Sequence, residues 1–438
     1  MHRKIATGPV GGCALGLALF LLVAASPAVA GPVGPPPALP DVLTLDWCLE
    51  RAREANPSLA EARAVAEAAL HRIDPAGAFE DPRVAYEASN VPVGDLDFDS
   101  TPLSGHQFGL RQHLPFPGLL ASRREAAERA HGASLLRVED RELATDSAVE
   151  TAWAELAFAS QALRITERNI ELLRKLAATA ESRYRVGSGL QQDVLRAQVE
   201  LTALLQERLR REEAVARSAA VLVELLDLPA DTVLPPAGDP RMTDAAPALG
   251  TLLVDLDRRN ARLRAAREQV EEARSRVRVA ELEGLPDVDL GLGYRVRSRV
   301  AGDAVKGDDF LSAGLTVRLP VDRSKWRARV AEQSALVRRA EARLDGLRAS
   351  LVALTRRSHA ALVRAASEEA LLETGLVPQA RQSLEASRKA YEVGRIGFLS
   401  LLDSQVRLLG AELRLARARA DKRLAFASLE AAAGEKLR

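Results

Sequence analysis

The apolar and polar positions of this chain follow a helical period over most of its length. Across residues 119–184, apolar residues recur every seven positions, and a second series runs three residues behind the first. This heptad pattern is typical of helices that pack along a coiled-coil seam. At about 1.5 Å per residue, roughly 60 helical residues extend about 90 Å, far beyond the width of a small domain. Gly187 and Gly189 interrupt the pattern before a predicted return helix at about 191–226, so the segment forms a long helical hairpin.

Two regions change to a period of two, which is typical of strands with one apolar and one polar face. They lie at residues 83–89 with 107–111, and at 287–297 with 311–319. The clearest runs approach the ~9–11 residues that a tilted strand needs to cross a bilayer. An ordinary half-buried hairpin gives the same alternation and stays open as an alternative. In a membrane, the lipid-facing residues would be Val84, Tyr86, Phe108, Leu110, Val288, Leu290, Leu292, Tyr294, Leu315 and Val317.

The chain contains two copies of one unit. The motif Tyr-x-Val-Gly occurs at Tyr184 and again at Tyr391, an offset of 207 residues (391 − 184). Upstream, NPSLAEAR at Asn56 matches NARLRAAR at Asn260, an offset of 204 residues (260 − 56). A unit of roughly 200 residues is far longer than a solenoid repeat, so the copies are halves of one architecture.

The predicted boundaries follow from this duplication. The first unit spans 43–228, a linker spans 229–248, and the second unit spans 249–438. Each unit has the order helix, two strands, long helix and return helix. The predicted helices are at about 45–73, 119–184 and 191–226 in the first unit. In the second unit they are at about 252–282 and 325–392, with a break at Gly394 and a return helix that ends at about 433.

The composition excludes one class of partner and indicates export. Basic and acidic residues number 61 and 60, so no positive surplus exists to neutralise nucleic-acid phosphates.

Residues 1–30 have the form of a cleaved signal peptide, in which an apolar stretch ends at Ala-Val-Ala. A transmembrane anchor is the alternative. A proline-rich arm follows at 31–42, and after cleavage Cys48 is the only thiol, so no intramolecular disulfide can form.

No arrangement of side chains in the sequence indicates enzymatic chemistry. The six histidines show no metal-ligand spacing, and His106 and His113 project to opposite faces of one predicted strand. The GLGYR segment at Gly291 belongs to an alternating strand rather than to a phosphate-binding turn. We therefore predict no catalytic residues, no cofactor and no resident metal ion.

The four predicted strands pose an assembly problem. Four strands cannot close a barrel, and hydrocarbon does not tolerate unpaired strand edges. Three copies of the chain supply twelve strands, which can close around a polar lumen. The predicted fold class is therefore mainly α with a small β part. Long coiled-coil hairpins form a tunnel, and four strands per chain contribute to a 12-stranded trimeric β-barrel.

Several stretches together resemble the TolC family of outer-membrane efflux channels. They are LTLDWCLERAREANPSLAEARAVAEAA at 43–69, QHLPFPG at 112–118 and the paired Tyr-x-Val-Gly motifs. Residues 81–94 and 109–120 look closest to the heavy-metal branch, which serves cobalt–zinc–cadmium or copper–silver exporters. The resemblance implies a homotrimer in the outer membrane of a Gram-negative bacterium, with a tunnel through the periplasm. It also implies two partners, a periplasmic adaptor and an inner-membrane pump of the resistance–nodulation–division (RND) type.

The resemblance assigns roles to the residues around each break in the long helices. In that family the Tyr-x-Val-Gly turns form the periplasmic tip where adaptor hairpins dock, although plain helix caps are an alternative. The implied docking residues are Val186, Gly187, Ser188, Gly189, Leu190, Val393, Gly394, Arg395, Ile396 and Gly397. Some members narrow the tunnel with aspartates just beyond the turn, which implies gate residues at Asp193 and Asp403. Solvated helix acids are the alternative there.

The predicted function is passive conduction of substrates, heavy-metal cations among them, through the outer-membrane channel of a tripartite efflux system. The alternative is a periplasmic coiled-coil adaptor or scaffold that does not span a membrane, since long hairpins suit both. Adaptors usually carry one hairpin between compact β domains, whereas this chain has two hairpins in duplicate. The sequence does not identify the exported substrate.

Overall fold

The computed structural model describes residues 39–94, 96–242 and 246–437. The predicted signal peptide and most of the proline-rich arm lie outside these residues. The first copy contains α1 (Leu45–Ala55), α2 (Pro57–Leu70), α3 (Ile73–Gly77), β1 (Arg83–Ser89), β2 (Gly105–Leu114), α4 (Leu119–Arg185) and α5 (Gln191–Leu225). The second copy contains α6 (Leu249–Arg259), α7 (Ala261–Glu283), β3 (Asp287–Val296), β4 (Phe310–Arg318), α8 (Arg323–Leu371), a π-helical turn (Leu372–Leu376), α9 (Val377–Glu392) and α10 (Phe398–Ala433). The prediction of a mainly helical chain with two strands per copy is confirmed.

The predicted continuous helix at 45–73 is wrong, because the chain breaks at Asn56. The Asn56 side chain accepts a hydrogen bond from the Ser58 N–H (3.0 Å), and its Nδ2 donates to the Leu225 carbonyl (2.9 Å). Pro57 begins α2 without the N–H that would have continued the helical ladder. One asparagine therefore caps α2 and also holds the end of the return helix α5.

The second copy repeats this break at Asn260. Its side chain accepts from two N–H groups in the first turn of α7 (3.0 and 3.2 Å). Its Nδ2 donates to the Ala432 carbonyl near the end of α10 (3.1 Å). The helix predicted at 252–282 is therefore two helices, and the root of each hairpin is fixed by an equivalent asparagine.

Two other helix boundaries differ from the prediction. Asp74 and Pro75 lie inside α3 rather than beyond a helix end, because N–H groups in a first helical turn have no intrahelical partner to lose. The long helix predicted at 325–392 is interrupted by the π-helical turn, and Pro378 follows in the first turn of α9. The equivalent α4 runs without interruption.

The helix α4 joins the two copies, because it packs against both α5 and α10. Its predicted seam is largely buried, with Val149 and Leu173 fully enclosed. The last seam position, Tyr184, is 45% exposed. Near the root of the hairpins, the Trp153 indole N–H donates to the Leu43 carbonyl (2.8 Å) and ties the start of the described chain to α4.

Strands from both copies form one antiparallel sheet in the order β1-β2-β3-β4. The central pair, β2 with β3, joins the copies in a register from His106 opposite Val296 to Leu114 opposite Val288. Among the residues that the structure describes, β1 and β4 each have one edge without a partner strand. Across the described ranges, no helix is both long and apolar enough to cross a membrane.

Candidate functional site: the hairpin tips and the strand sheet

Each hairpin tip closes with the same hydrogen-bonded turn. At the first tip the Ser188 N–H donates to the Arg183 carbonyl (2.9 Å) and the Gly187 N–H donates to the Tyr184 carbonyl (3.0 Å). The second tip makes the same two bonds around Gly394, at 2.8 and 2.9 Å. This is the Schellman motif, which places its central residue in the left-handed region. The φ angles of Gly187 and Gly394 are +73° and +75°, so both turns require glycine.

The ten residues predicted to dock an adaptor all lie in or beside these two turns. Most are exposed, and Val186 and Val393 present apolar side chains to solvent (75% and 68% exposed). Gly189 and Ile396 are half-buried. The structure thus places the predicted set together at one end of the hairpins, and their docking role stays a prediction.

One arginine joins the two tips. The Arg183 guanidinium lies 4.8 Å from the centre of the Tyr391 ring and donates a short hydrogen bond to the Tyr391 carbonyl. The Tyr391 ring packs edge-on against Phe398 at 5.7 Å, and both side chains are buried. Burial, followed by the negative charge of Asp193, raises the pKa of the Tyr391 hydroxyl, while Arg183 acts in the opposite direction.

The two predicted gate aspartates have different surroundings. Asp193 is half-buried in the first turn of α5, where the helix dipole favours a negative charge. Asp403 is exposed, and its carboxylate accepts a hydrogen bond from Arg407 Nε (2.8 Å) one helical turn later. The charge of Asp403 is therefore partly offset inside its own helix, whereas the charge of Asp193 acts on Tyr391. Their role in a gate stays a prediction.

The sheet register places all ten predicted lipid-facing residues on one face. Each of the ten lies directly opposite another member on a neighbouring strand. The pairs are Val84 with Leu110, Leu110 with Leu292, Tyr86 with Phe108, Phe108 with Tyr294, Leu290 with Leu315, and Val288 with Val317. Nine of the ten side chains are exposed, and Val84 is 80% exposed.

The opposite face of the sheet is polar apart from Phe310, which lies opposite Arg295. It carries Arg83 and Glu87 on β1, Arg111 on β2, and Asp289 and Arg295 on β3. Glycines and small residues fill most of its remaining positions. His113 also lies on this face, and His106 lies on the apolar one, as predicted from their spacing.

Within the described ranges, no group of three or more histidine, cysteine or acidic side chains is arranged to hold a metal ion. Cys48 is fully buried among apolar side chains, and burial raises the pKa of its thiol to about 12. The features that dominate the chain are therefore an uncovered apolar sheet face and two exposed tips, which suit assembly rather than catalysis.

A comparison with known protein families agrees with this geometry. The family model described as "Outer membrane efflux protein" matches residues 48–227 and 252–435, which are most of both copies. The chain belongs to the outer membrane efflux protein family. This confirms the family resemblance of the sequence, and relatives by family and fold are channels rather than enzymes.

Among individual relatives of this efflux protein, Protein CyaE of Bordetella pertussis is 33% identical over 291 residues. That match covers 65% of this chain and 60% of the relative's length. The solved structure of CusC shares the fold with a TM-score of 0.76 at 16% identity, covering 90% of this chain and 92% of CusC. VceC, an outer membrane protein of Vibrio cholerae, has a TM-score of 0.74 at 20% identity, covering 90% and 97%.

Sequence reasoning missed the contacts that tie distant parts of this efflux protein together. Arg183 and Tyr391 are 208 residues apart in the chain, and no local pattern pairs them. The two capping asparagines were visible as a repeated motif at Asn56 and Asn260, and the proline at 57 marked the first break. The helical spacing of apolar residues continues across both breaks and hides them.

Proposed function

We propose that three copies of this chain form an outer-membrane channel, in which each copy supplies four strands of a 12-stranded barrel and two hairpins of a periplasmic tunnel. The channel conducts substrates passively as the outer component of a tripartite efflux system. Channels of this family are trimers that work with an adaptor and an inner-membrane pump. For this chain the partners are a periplasmic adaptor and an RND-type pump.

The uncovered apolar face of the sheet carries this proposal. An aqueous environment would leave the side chains of four strands exposed, and contiguous apolar surface of that kind marks a contact with a partner or a membrane. The unpaired edges of β1 and β4 would also be unsatisfied in hydrocarbon. Pairing of β4 in one copy with β1 in the next satisfies the backbone hydrogen-bonding groups of both edges. It also directs the apolar face of each sheet toward the lipid.

A difference in burial between the two copies supports the trimer. In the second hairpin, which α8, α9 and α10 form, Tyr391 is 4% exposed and Leu402 is 8% exposed, because α10 packs on α4 within the chain. Their equivalents in the first hairpin, which α4 and α5 form, are Tyr184 and Leu195, and these are 45% and 53% exposed. Tyr184 and Leu195 therefore lie on a face of the α4–α5 hairpin that this chain leaves exposed, and a hairpin of an adjacent copy would cover it.

The tip residues Val186 to Leu190 and Val393 to Gly397 form the docking surface in this proposal, and Asp193 with Asp403 line the narrowest part of the tunnel. The threefold axis would bring three copies of each carboxylate together, which attracts cations and opposes closure by repulsion. The heavy-metal branch stays a prediction, because fold similarity to CusC at 16% identity does not identify a cargo.

Neighbouring residues on β4 allow a direct test. Leu315→Cys lies on the apolar face and Thr316→Cys lies on the polar face, and each would carry a polarity-sensitive dye after reconstitution into liposomes. We expect lipid-borne quenchers to quench the dye at position 315 and aqueous iodide to quench the dye at 316. Cys48 is buried and will not compete for the label in the folded protein.

The same experiment discriminates against the adaptor or scaffold alternative. A periplasmic scaffold would stay in solution without detergent, and both dyes would respond to iodide alone. Size-exclusion chromatography with light scattering in detergent supplies the subunit count. A monomer, or a dye at position 315 that lies in water, would refute the channel.

A further inference from the structure

The polar face of the sheet holds two arginines directly opposite each other. Arg83 on β1 and Arg111 on β2 are partners in the register, and both residues are exposed. Like charges at directly opposed positions destabilise a sheet. The fold keeps this unfavourable pair, and bound anions would relieve the repulsion.

The rest of this row is open space. Across β3 and β4 the row continues with Gly291 and Gly314. A Cβ at Gly314 would meet no atom within 4 Å, and one at Gly291 would meet only the Gly314 carbonyl oxygen, at 3.8 Å. Packing within the sheet therefore does not require glycine at either position. Glycine inside a strand often marks a place where a ligand approaches the backbone, and the hollow here measures about 550 Å³.

Nearby carboxylates offset the two charges only in part. Within the described residues, no carboxylate lies within ion-pair distance of Arg111, and the partner of Arg83 is Glu80, at 3.5 Å on an exposed site before the strand. Asp289 lines the same hollow, but its Oδ1 lies 3.1 Å from a ring nitrogen of the adjacent histidine. Glu87 also lines it, about 13 Å along β1 from the arginine row.

We propose that Arg83 and Arg111 form an anion-binding row on the inner wall of the barrel, which holds carboxylate or phosphate groups of a solute in transit. The proposal rests on the proposed function, because only a closed trimer turns the polar face into a lumen. The threefold axis then places six guanidinium groups at one level. Guanidinium forks bind oxyanions in a bidentate manner, and rings of basic residues line anion-conducting pores. At its own level of the barrel the row thus favours anionic solutes over free metal cations, whereas the aspartates near the tips favour cations.

Calorimetric titration of inorganic pyrophosphate or citrate into the purified trimer tests the row. We expect binding at low ionic strength that weakens as salt is added. Arg111→Gln should weaken it by about tenfold, the effect of losing a hydrogen bond to a charged group. The double variant Arg83→Gln with Arg111→Gln should abolish it. The tighter probe identifies the oxyanion that the row prefers.

Arg295→Gln is the matched control. Arg295 lies on the same face about 13 Å away and donates to Gln107 Oε1 (2.7 Å) and Ser89 Oγ (2.9 Å), so the variant removes an equal charge from another row. Binding should survive in this variant. Absence of binding to the unmodified trimer, or an equal loss in Arg295→Gln, would overturn the anion row. If the dye experiment succeeds and pyrophosphate and citrate do not bind, the channel stands and only the row is refuted.

Discussion

Alanine at the two tip glycines should loosen the hairpin turns to different extents. In Gly187→Ala the new Cβ meets no atom within 4 Å. The only cost in free energy is therefore that of placing an alanine in the left-handed backbone region. In Gly394→Ala the Cβ also lies 3.3 Å from Arg183 Nη2, so the guanidinium that donates to the Tyr391 carbonyl must shift by a few tenths of an ångström. The second variant therefore loses backbone stability and also perturbs the contact between the tips.

The magnitude follows from the backbone angles. A non-glycine residue in the left-handed region costs about 1–2 kcal/mol, which corresponds to a change of about 5–30-fold in an opening equilibrium. The amide of Ser188, which closes the first turn, should therefore exchange with deuterium about 5–30-fold faster in Gly187→Ala. In Gly394→Ala the amide of Arg395 should exchange faster still, and Tyr391 should become accessible.

Hydrogen–deuterium exchange of tip peptides, measured by mass spectrometry on the purified full-length protein in detergent, tests this reasoning. Gly410→Ala is the control, because Gly410 lies inside α10 and a Cβ there meets no atom within 4 Å. Alanine in a helix interior stabilises by up to about 1 kcal/mol relative to glycine, so exchange should slow around residue 410. Unchanged exchange at Ser188 in Gly187→Ala, or faster exchange in the control, would refute the argument.

Three further predictions concern the hairpin roots, the core thiol and the gate. Asn56→Ala and Asn260→Ala should each lower the free energy of unfolding, measured by chemical denaturation, by about 2 kcal/mol, because each removes a helix cap and a hydrogen bond to a return helix. Clearly unequal losses of stability would contradict the equivalence of the two asparagines. Burial raises the pKa of the Cys48 thiol to about 12, so the free energy of unfolding should fall as pH rises above the ordinary thiol value of 9.0, where the thiol of the unfolded chain ionises first. Cys48→Ala should remove this contribution to the pH dependence, and labelling of Cys48 by maleimide at neutral pH should require unfolding. Asp193→Ala should reduce cation preference in a planar bilayer more than Asp403→Ala does, since Arg407 offsets the second charge; the reverse order would count against the gate.

The sequence predicted those parts of the fold that depend on local periodicity. The strands appear where alternation appears, and the ten apolar residues share one face because a period of two fixes orientation within each strand. The tip glycines were recognisable because a helix followed by glycine predicts a turn. The end of α10 at Ala433 agrees with the prediction for the same reason.

Interruptions within helical periodicity were not predicted. The π-helical turn at 372–376 lies inside a continuous apolar pattern, and one extra residue shifts a helical face too little to be seen. The offset between the copies grows by three residues, from 204 at Asn260 to 207 at Tyr391, which is more than one π-helical turn adds. The sequence could show that the second copy is longer, but not which residues are additional.

The duplication has consequences for any partner that meets the tips. Three copies would present six hairpin turns in two alternating kinds, because the equivalents of Ser188 and Gly189 are Arg395 and Ile396. At these two positions the first turn has a hydroxyl and no side chain, whereas the second has a guanidinium and a branched apolar side chain. Since Tyr391 is also buried beneath Arg183 while Tyr184 is open, an adaptor with equal hairpins must bind two unequal surfaces. A substitution in one turn should therefore not be compensated by the unchanged turn beside it.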